Sequence, residues 1–261
     1  GTGLASRYPW GNRMTRWVLL FGLICAGALE AKGFVVRPTE VQSREYRELA
    51  REIDQSGLLR DIAAELNGVL RIDQTLGLRF AECGEPNAYY DADKREVSVC
   101  FELIEWYYEH MNDAYDSEDE LDDAVAGAFV FVFFHEIGHA LVDVLDLPIT
   151  GREEDAVDQL SAWILLDGAE GDQAVLDAAL SFYAASESAD MVDEGEYADE
   201  HSLDQQRFYN MVCWVYGSDP GGYEHLLEDD YLPAARAERC ESEYAQIDRS
   251  WTRLLKAHVR P

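Results

Sequence analysis

Two histidines and a glutamate stand together in the run His135-Glu136-Ile137-Gly138-His139. On a helix, residues four apart share a face, so His135 and His139 can offer imidazole nitrogens to one ion lying about 2 Å from each. Glu136 borders that face. Its carboxylate can hold a metal-polarised water, take its proton as the water attacks a carbonyl, and pass that proton to a leaving amine. With only six histidines in 261 residues, this arrangement rarely arises by chance. The competing reading is a pair of core histidines satisfied by local hydrogen bonds. Gly138 adds weight to the first reading. A glycine inside a helix costs about 1 kcal/mol relative to alanine, and close approach of a second element beside the site would explain it.

A catalytic ion needs a third protein ligand and an open position. Glu154 and Asp158 lie four apart in Glu153-Glu154-Asp155-Ala156-Val157-Asp158 and so share a helix face. Glu154 is placed to be the third ligand, with Glu153 as a possible substitute. Asp158 is placed to accept the outer N–H of a ligand histidine, which fixes its tautomer and orientation. The plainer alternative is a solvated acidic first turn, which helix dipoles favour on their own.

Those residues need helices under them. Residues 124–145 are nearly continuously apolar, broken by His135, Glu136, His139 and Asp143, and read as a helix buried on most sides. Ser117 followed by Glu120 has the form of a capping box at its start. Pro148 and Gly151 end it, and residues 153–166 form the next helix. Further helices are expected over 172–185, 203–217 and 232–258, with the acidic stretch 186–200 as a loop or lid. Upstream, residues 40–66 read as a helix pair broken at Ser56-Gly57 and closed by Asn67-Gly68. Residues 76–83 and 87–100 read as two strands of a hairpin around Gly84-Glu85-Pro86, followed by a helix over 101–111. The fold class is therefore α+β, mostly helical, with a small antiparallel sheet before the motif helix.

Fifty-two acidic against 21 basic residues give a formal charge of −31 and a pI near 4.3. Such a surface repels phosphate backbones and anionic membranes, which excludes nucleic acid as a partner. Residues 14–31 place Thr15 and Arg16 before a short apolar run from Trp17 to Cys25 and then small residues at 26–28, the layout of a secretory signal peptide. Cleavage after Ala28 or Ala31, with residues 1–13 ahead of the natural start, is expected, so the protein is read as secreted or periplasmic. An uncleaved N-terminal anchor is the less favoured alternative, and no membrane span is expected in the mature form. Cys25 lacks the small neighbour of a lipidated cysteine. The four remaining cysteines allow three pairings, and the local one is favoured: Cys83 with Cys100 and Cys213 with Cys240. A cysteine metal site is the weaker idea, because no C-x-x-C occurs.

The histidine motif followed by Glu154-x-x-x-Asp158 resembles the gluzincin pattern of zinc peptidases. The metzincin pattern fails, since the third histidine it requires is Leu145 here. More closely, Asn87-Ala88-Tyr89-Tyr90, His135 to His139, residues 153–159, Gln206-Arg207-Phe208-Tyr209-Asn210, Cys213-Trp214 and Tyr216-Gly217 resemble a bacterial metallopeptidase family of unknown function. The resemblance implies a small zincin-like (minigluzincin) fold in one catalytic domain over 32–261. It divides into a sheet and active-site-helix part at 32–146 and a helical part at 147–261. It implies Zn2+ on His135, His139 and Glu154, Glu136 as general base, and a peptide or protein as substrate. It also implies that the strand Glu96–Cys100 is the rim that pairs with extended substrate, and that His201, Arg207 or, less well, Tyr209 stabilises the oxyanion or positions groups. Two other readings stay open: an inactive metal- or peptide-binding interaction protein on the same scaffold, and a zinc amidase acting on cell-wall peptide.

Overall fold

A computed structural model describes residues 32–168, 171–188 and 194–260. The proposed signal peptide lies outside the described residues. The chain opens with β1 (Gly33–Val36), whose backbone is clamped by Asn67: Phe34 N–H donates to Asn67 Oδ1 at 2.8 Å, and Asn67 Nδ2 donates to the Phe34 carbonyl at 2.8 Å. Two helices follow, α1 (Tyr46–Ser56) and α2 (Leu58–Val69), parted at Gly57, whose φ of 81° is the left-handed conformation glycine adopts without strain. Then come β2 (Thr75–Ala81), β3 (Ala88–Asp91) and β4 (Glu96–Cys100).

The sheet order is β1-β2-β4-β3. The sheet is mixed: β1 runs parallel to β2 and β2 parallel to β4, and only the β3–β4 hairpin is antiparallel. The expected hairpin around Gly84-Glu85-Pro86 is thus replaced by one around residues 92–95. There Asp91 Oδ1 accepts from Lys94 N–H at 3.0 Å, and Arg95 has a φ of 52°. The long stretch 87–100 contains a polar turn, which its β-forming ends concealed.

Helix α3 (Phe101–Met111) leads through a 3₁₀ turn (Asn112–Ala114) to α4 (Glu118–Leu145), the motif helix. Ser117 caps it, its Oγ accepting from Glu120 N–H at 3.2 Å. After it come α5 (Glu153–Leu166), α6 (Gly171–Ser188), the short α7 (Glu194–Ala198), α8 (Asp204–Ser218), the one-turn α9 (His225–Glu228) and α10 (Ala234–Leu255). Among the described residues α4 alone is long and apolar enough to cross a membrane, and most of it is buried here as a core helix.

Packing fixes α4 from every side. Stacked rings join it to the sheet and α3: Phe80 lies 5.4 Å from Phe129 and 5.8 Å from Phe101 between ring centres. Against α5 the helices touch at Gly138, where an added Cβ would sit 2.7 Å from Val157 Cβ. Ser161 Oγ on α5 donates to the Phe131 carbonyl at 2.6 Å. Against α6 the close point is Gly127, facing Asp177 and Ala174. One hydrophobic cluster runs from Phe34 through α4 to Leu255. The sulfurs of Cys83 and Cys100, and of Cys213 and Cys240, lie at disulfide distance; the first pair ties the β2–β3 connection to the end of β4, the second joins α8 to α10.

Candidate metal centre

Helix α4 presents His135 and His139 on the face toward α5, and the close contact at Gly138 draws the start of α5 beneath them. Glu154 Oε2 lies 3.1 Å from His135 Nε2 and 3.3 Å from His139 Nε2, and the two Nε2 atoms are 3.2 Å apart. Donor atoms around one ion with bonds of about 2.0–2.1 Å in tetrahedral geometry are separated by about 3.3–3.4 Å. The triangle fits one small cation. A fourth group, His201, follows α7 and brings its Nε2 to 3.0 Å from the same Glu154 oxygen. His135, Glu154 and His201 have ligand atoms within 4.8 Å of one another.

Each imidazole is gripped from behind by its own carboxylate. His135 Nδ1 pairs with Asp158 Oδ1 at 2.7 Å, His139 Nδ1 with Glu153 Oε1 at 2.8 Å, and His201 Nδ1 with Asp199 Oδ1 at 2.8 Å. For His135 and His139, holding the proton on Nδ1 leaves the Nε2 lone pair for a metal, whereas His201 in its protonated form can donate from Nε2. Asp158 is buried and receives Arg207 as a fork, Nε donating to Oδ2 at 2.8 Å and Nη2 to Oδ1 at 2.7 Å. Burial raises the Asp158 carboxyl, but Arg207 and His135 together hold it well below the usual carboxylate range. Arg207 is stacked under Phe182, 3.8 Å from its ring centre.

The electrostatics call for positive charge at this point. Burial disfavours the Glu154 anion, yet bonds to His135, His139 and His201 hold it far below its ordinary value. Burial also opposes the charge on His139, but Glu154 and Glu153 push it up to about 9; His201 rises to about 9, chiefly through Glu154. Protons here neutralise an anionic nest that a divalent ion fits by donor chemistry and spacing. Glu136 is buried beside it, its carboxyl raised by burial against the pull of His135 and His139.

All of this opens onto a cleft of about 750 Å³, lined by the histidines, Glu136, Glu154, Arg207 and residues of β3. The strand expected at the rim, Glu96–Cys100, is an inner strand with neighbours on both sides and has no free edge. The rim strand is β3. The Asn87 carbonyl accepts from Cys100 N–H at 3.0 Å, so by antiparallel alternation Ala88 and Tyr90 turn their backbone groups to the open edge. Tyr209 does not line the cleft; it packs edge-on against Phe208. Arg207 lines the cleft and donates both Nε and Nη2 to Asp158, the carboxylate that holds His135.

Sequence reasoning did not single out Asp199; Glu153, which it offered as a possible substitute ligand, pairs here with His139 Nδ1. It also passed over Tyr90, whose hydroxyl donates to Asp143 Oδ2 at 2.7 Å and joins β3 to the end of α4. A histidine pair, a downstream carboxylate and a buried glutamate stand together in one cleft, in an arrangement that could hold a metal ion. The chain belongs to the family described as "Putative metallopeptidase", whose model matches residues 39–255. No curated protein and no solved structure matches it.

Proposed function

We propose that the protein is a zinc-dependent peptidase of the gluzincin type, with residues 32–261 as one catalytic unit. The observation that carries this is the triangle of His135 Nε2, His139 Nε2 and Glu154 Oε2, with sides of 3.1–3.3 Å, beside the buried Glu136. His135, His139 and Glu154 would hold the ion. Zinc bound there supplies Lewis-acid polarisation of a carbonyl and lowers the pKa of water. The protein's own groups do the rest. The open edge of β3 pairs with an extended peptide and lays it across the motif helix. Glu136, kept basic by its site, accepts a proton from the attacking water and delivers it to the leaving amine. His201, aimed by Asp199, donates from Nε2 to the carbonyl oxygen as charge develops on it. Arg207 and Asp158 keep His135 in its tautomer.

The two cysteine pairs at disulfide distance suit a non-cytoplasmic, oxidising compartment. Secretion by way of residues 14–31 is part of the proposal. Metal content after dialysis, measured by elemental mass spectrometry on wild type, His135→Ala and Glu154→Ala, tests the centre. About one zinc per wild-type chain, sharply reduced in both variants, is expected. Peptide hydrolysis lost in Glu136→Gln with zinc retained would tie turnover to the base. A wild-type protein that neither holds zinc nor takes it up would end this reading.

A further inference from the structure

The cleft is not chemically uniform along its length. Val132, His135, His139 and Asp143 follow one another three and four residues apart on α4 and so run along one helix face, over about 16 Å at 1.5 Å per residue. At the Asp143 end the cleft is polar. At the Val132 end its lining comes from Leu103, Trp106 and Tyr107, one face of α3, and from Phe182 of α6. Those walls are mostly apolar and aromatic, with the Trp106 indole N–H, Ser181 and the Tyr107 hydroxyl as polar points among them. Tyr107 is only 3% exposed as a residue, but it lines the cleft, its hydroxyl is not among the fully buried unpartnered atoms, and no hydrogen bond joins that hydroxyl to another described residue. Burial holds the phenol protonated against the opposing pull of Arg207.

A hydroxyl that reaches an open cleft with no protein partner is met by water there, and a ligand that displaces this water must supply the hydrogen bond in its place.

We propose that Tyr107 is a specificity-determining residue that receives the phenolic hydroxyl of a substrate tyrosine beside the bond to be cleaved. This rests on the peptidase reading and names the substrate class it favours. The ring of the incoming residue is matched by Trp106, Phe182, Leu103 and Val132, which reward aromatic area and edge or offset stacking. The single hydrogen bond then separates tyrosine from phenylalanine. Phenylalanine strips water from the Tyr107 hydroxyl without replacing it, and sites built this way reject the analogue that lacks the hydroxyl. Leucine of similar size fails for the same reason.

The test uses zinc-loaded full chain and peptide pairs that differ only in tyrosine or phenylalanine at the position a positional library finds most selective. Wild type should favour the tyrosine peptide in kcat/KM by about tenfold to a hundredfold, and Tyr107→Phe should reduce the ratio to about twofold or less. Calorimetric binding of the same pairs to Glu136→Gln, with and without Tyr107→Phe, reads recognition apart from turnover. Equal processing of the two peptides by wild type, or a preference that survives Tyr107→Phe, overturns the assignment and leaves the peptidase reading standing. Tyr107-dependent binding of the tyrosine peptide by a protein that cleaves no peptide keeps the assignment and overturns the peptidase reading.

Discussion

Asp177 offers a sharp test of how α6 is held against the motif helix. It is 2% exposed, lies against Gly127 of α4, and accepts from Gln173 Nε2 at 2.9 Å and from the Tyr115 hydroxyl at 3.3 Å. Burial pushes its carboxyl up from 3.8 to about 7, although both hydrogen bonds pull the other way. Between those two values the native protein carries a proton that the unfolded chain has lost. Stability is therefore fully present below about pH 4 and drains away as pH rises through about 7. A rise of about 3 units at 1.36 kcal/mol each sets a ceiling of about 4 kcal/mol. Asp177→Asn keeps the shape and an acceptor for Gln173 and Tyr115 but has no charge to bury. Its denaturant midpoint should match wild type near pH 4 and exceed it at pH 8, with a gain of about 2–4 kcal/mol. Urea unfolding in steps from pH 4 to pH 8.5 measures this, with the m-value as a check that the same surface unfolds. A difference between variant and wild type that stays constant with pH would refute the reasoning, because it would mean that the buried carboxyl does not titrate in that window.

Gly138→Ala should destabilise the fold by about 1–3 kcal/mol through overpacking, since its Cβ would fall 2.7 Å from Val157 Cβ. A zinc titration alongside the unfolding curve should show weaker binding as α5 is pushed away. Asp158→Asn should weaken zinc affinity by about 10–100-fold through loss of the His135 partner, and cost about 3–5 kcal/mol by leaving Arg207 buried and unpaired. The double variant Asp158→Asn with Arg207→Met should recover much of that stability and little of the affinity, as read by a double-mutant cycle. Replacing Cys213 and Cys240 together by serine should cost about 3 kcal/mol, from a 27-residue sequence separation, in thermal or denaturant unfolding under oxidising conditions.

The helices were legible because their signals are strong and redundant. The apolar run of α4, its serine cap, and Pro148 with Gly151 behind it leave one reading, and Glu153 to Leu166 is bounded as the pattern implies. Gly138 announced a close neighbour, and Val157 is that neighbour. Strand pairing was harder to read. Local pattern says that a segment is extended, but partner choice depends on contacts distant in sequence, and β2 pairs in parallel with β1 and β4 rather than turning back on itself. That single difference moves the free edge from Glu96–Cys100 to Ala88–Asp91, and with it the surface on which an extended peptide would lie.

The same limit explains which site residues could be read. His135, His139, Glu154 and Asp158 are bound to one another by helical spacing, a short-range rule. His201 stood out as a histidine, but Asp199 comes from a stretch whose acidic residues are indistinguishable by type, in a chain with 52 carboxylates. What sets Asp199 and Glu153 apart from the rest is that each meets the outer nitrogen of an imidazole whose other nitrogen points at Glu154. Composition therefore hid part of the site: a surface dressed in acid for solubility conceals the few carboxylates that orient histidines. Tyr107 was hidden in the opposite way, as one more aromatic residue on an amphipathic helix, and what separates it from core is its place in the cleft wall with no hydrogen bond from its hydroxyl to another described residue. In both cases the distinguishing property is a hydrogen bond made or left unmade across the fold, which no spacing rule along one element can express.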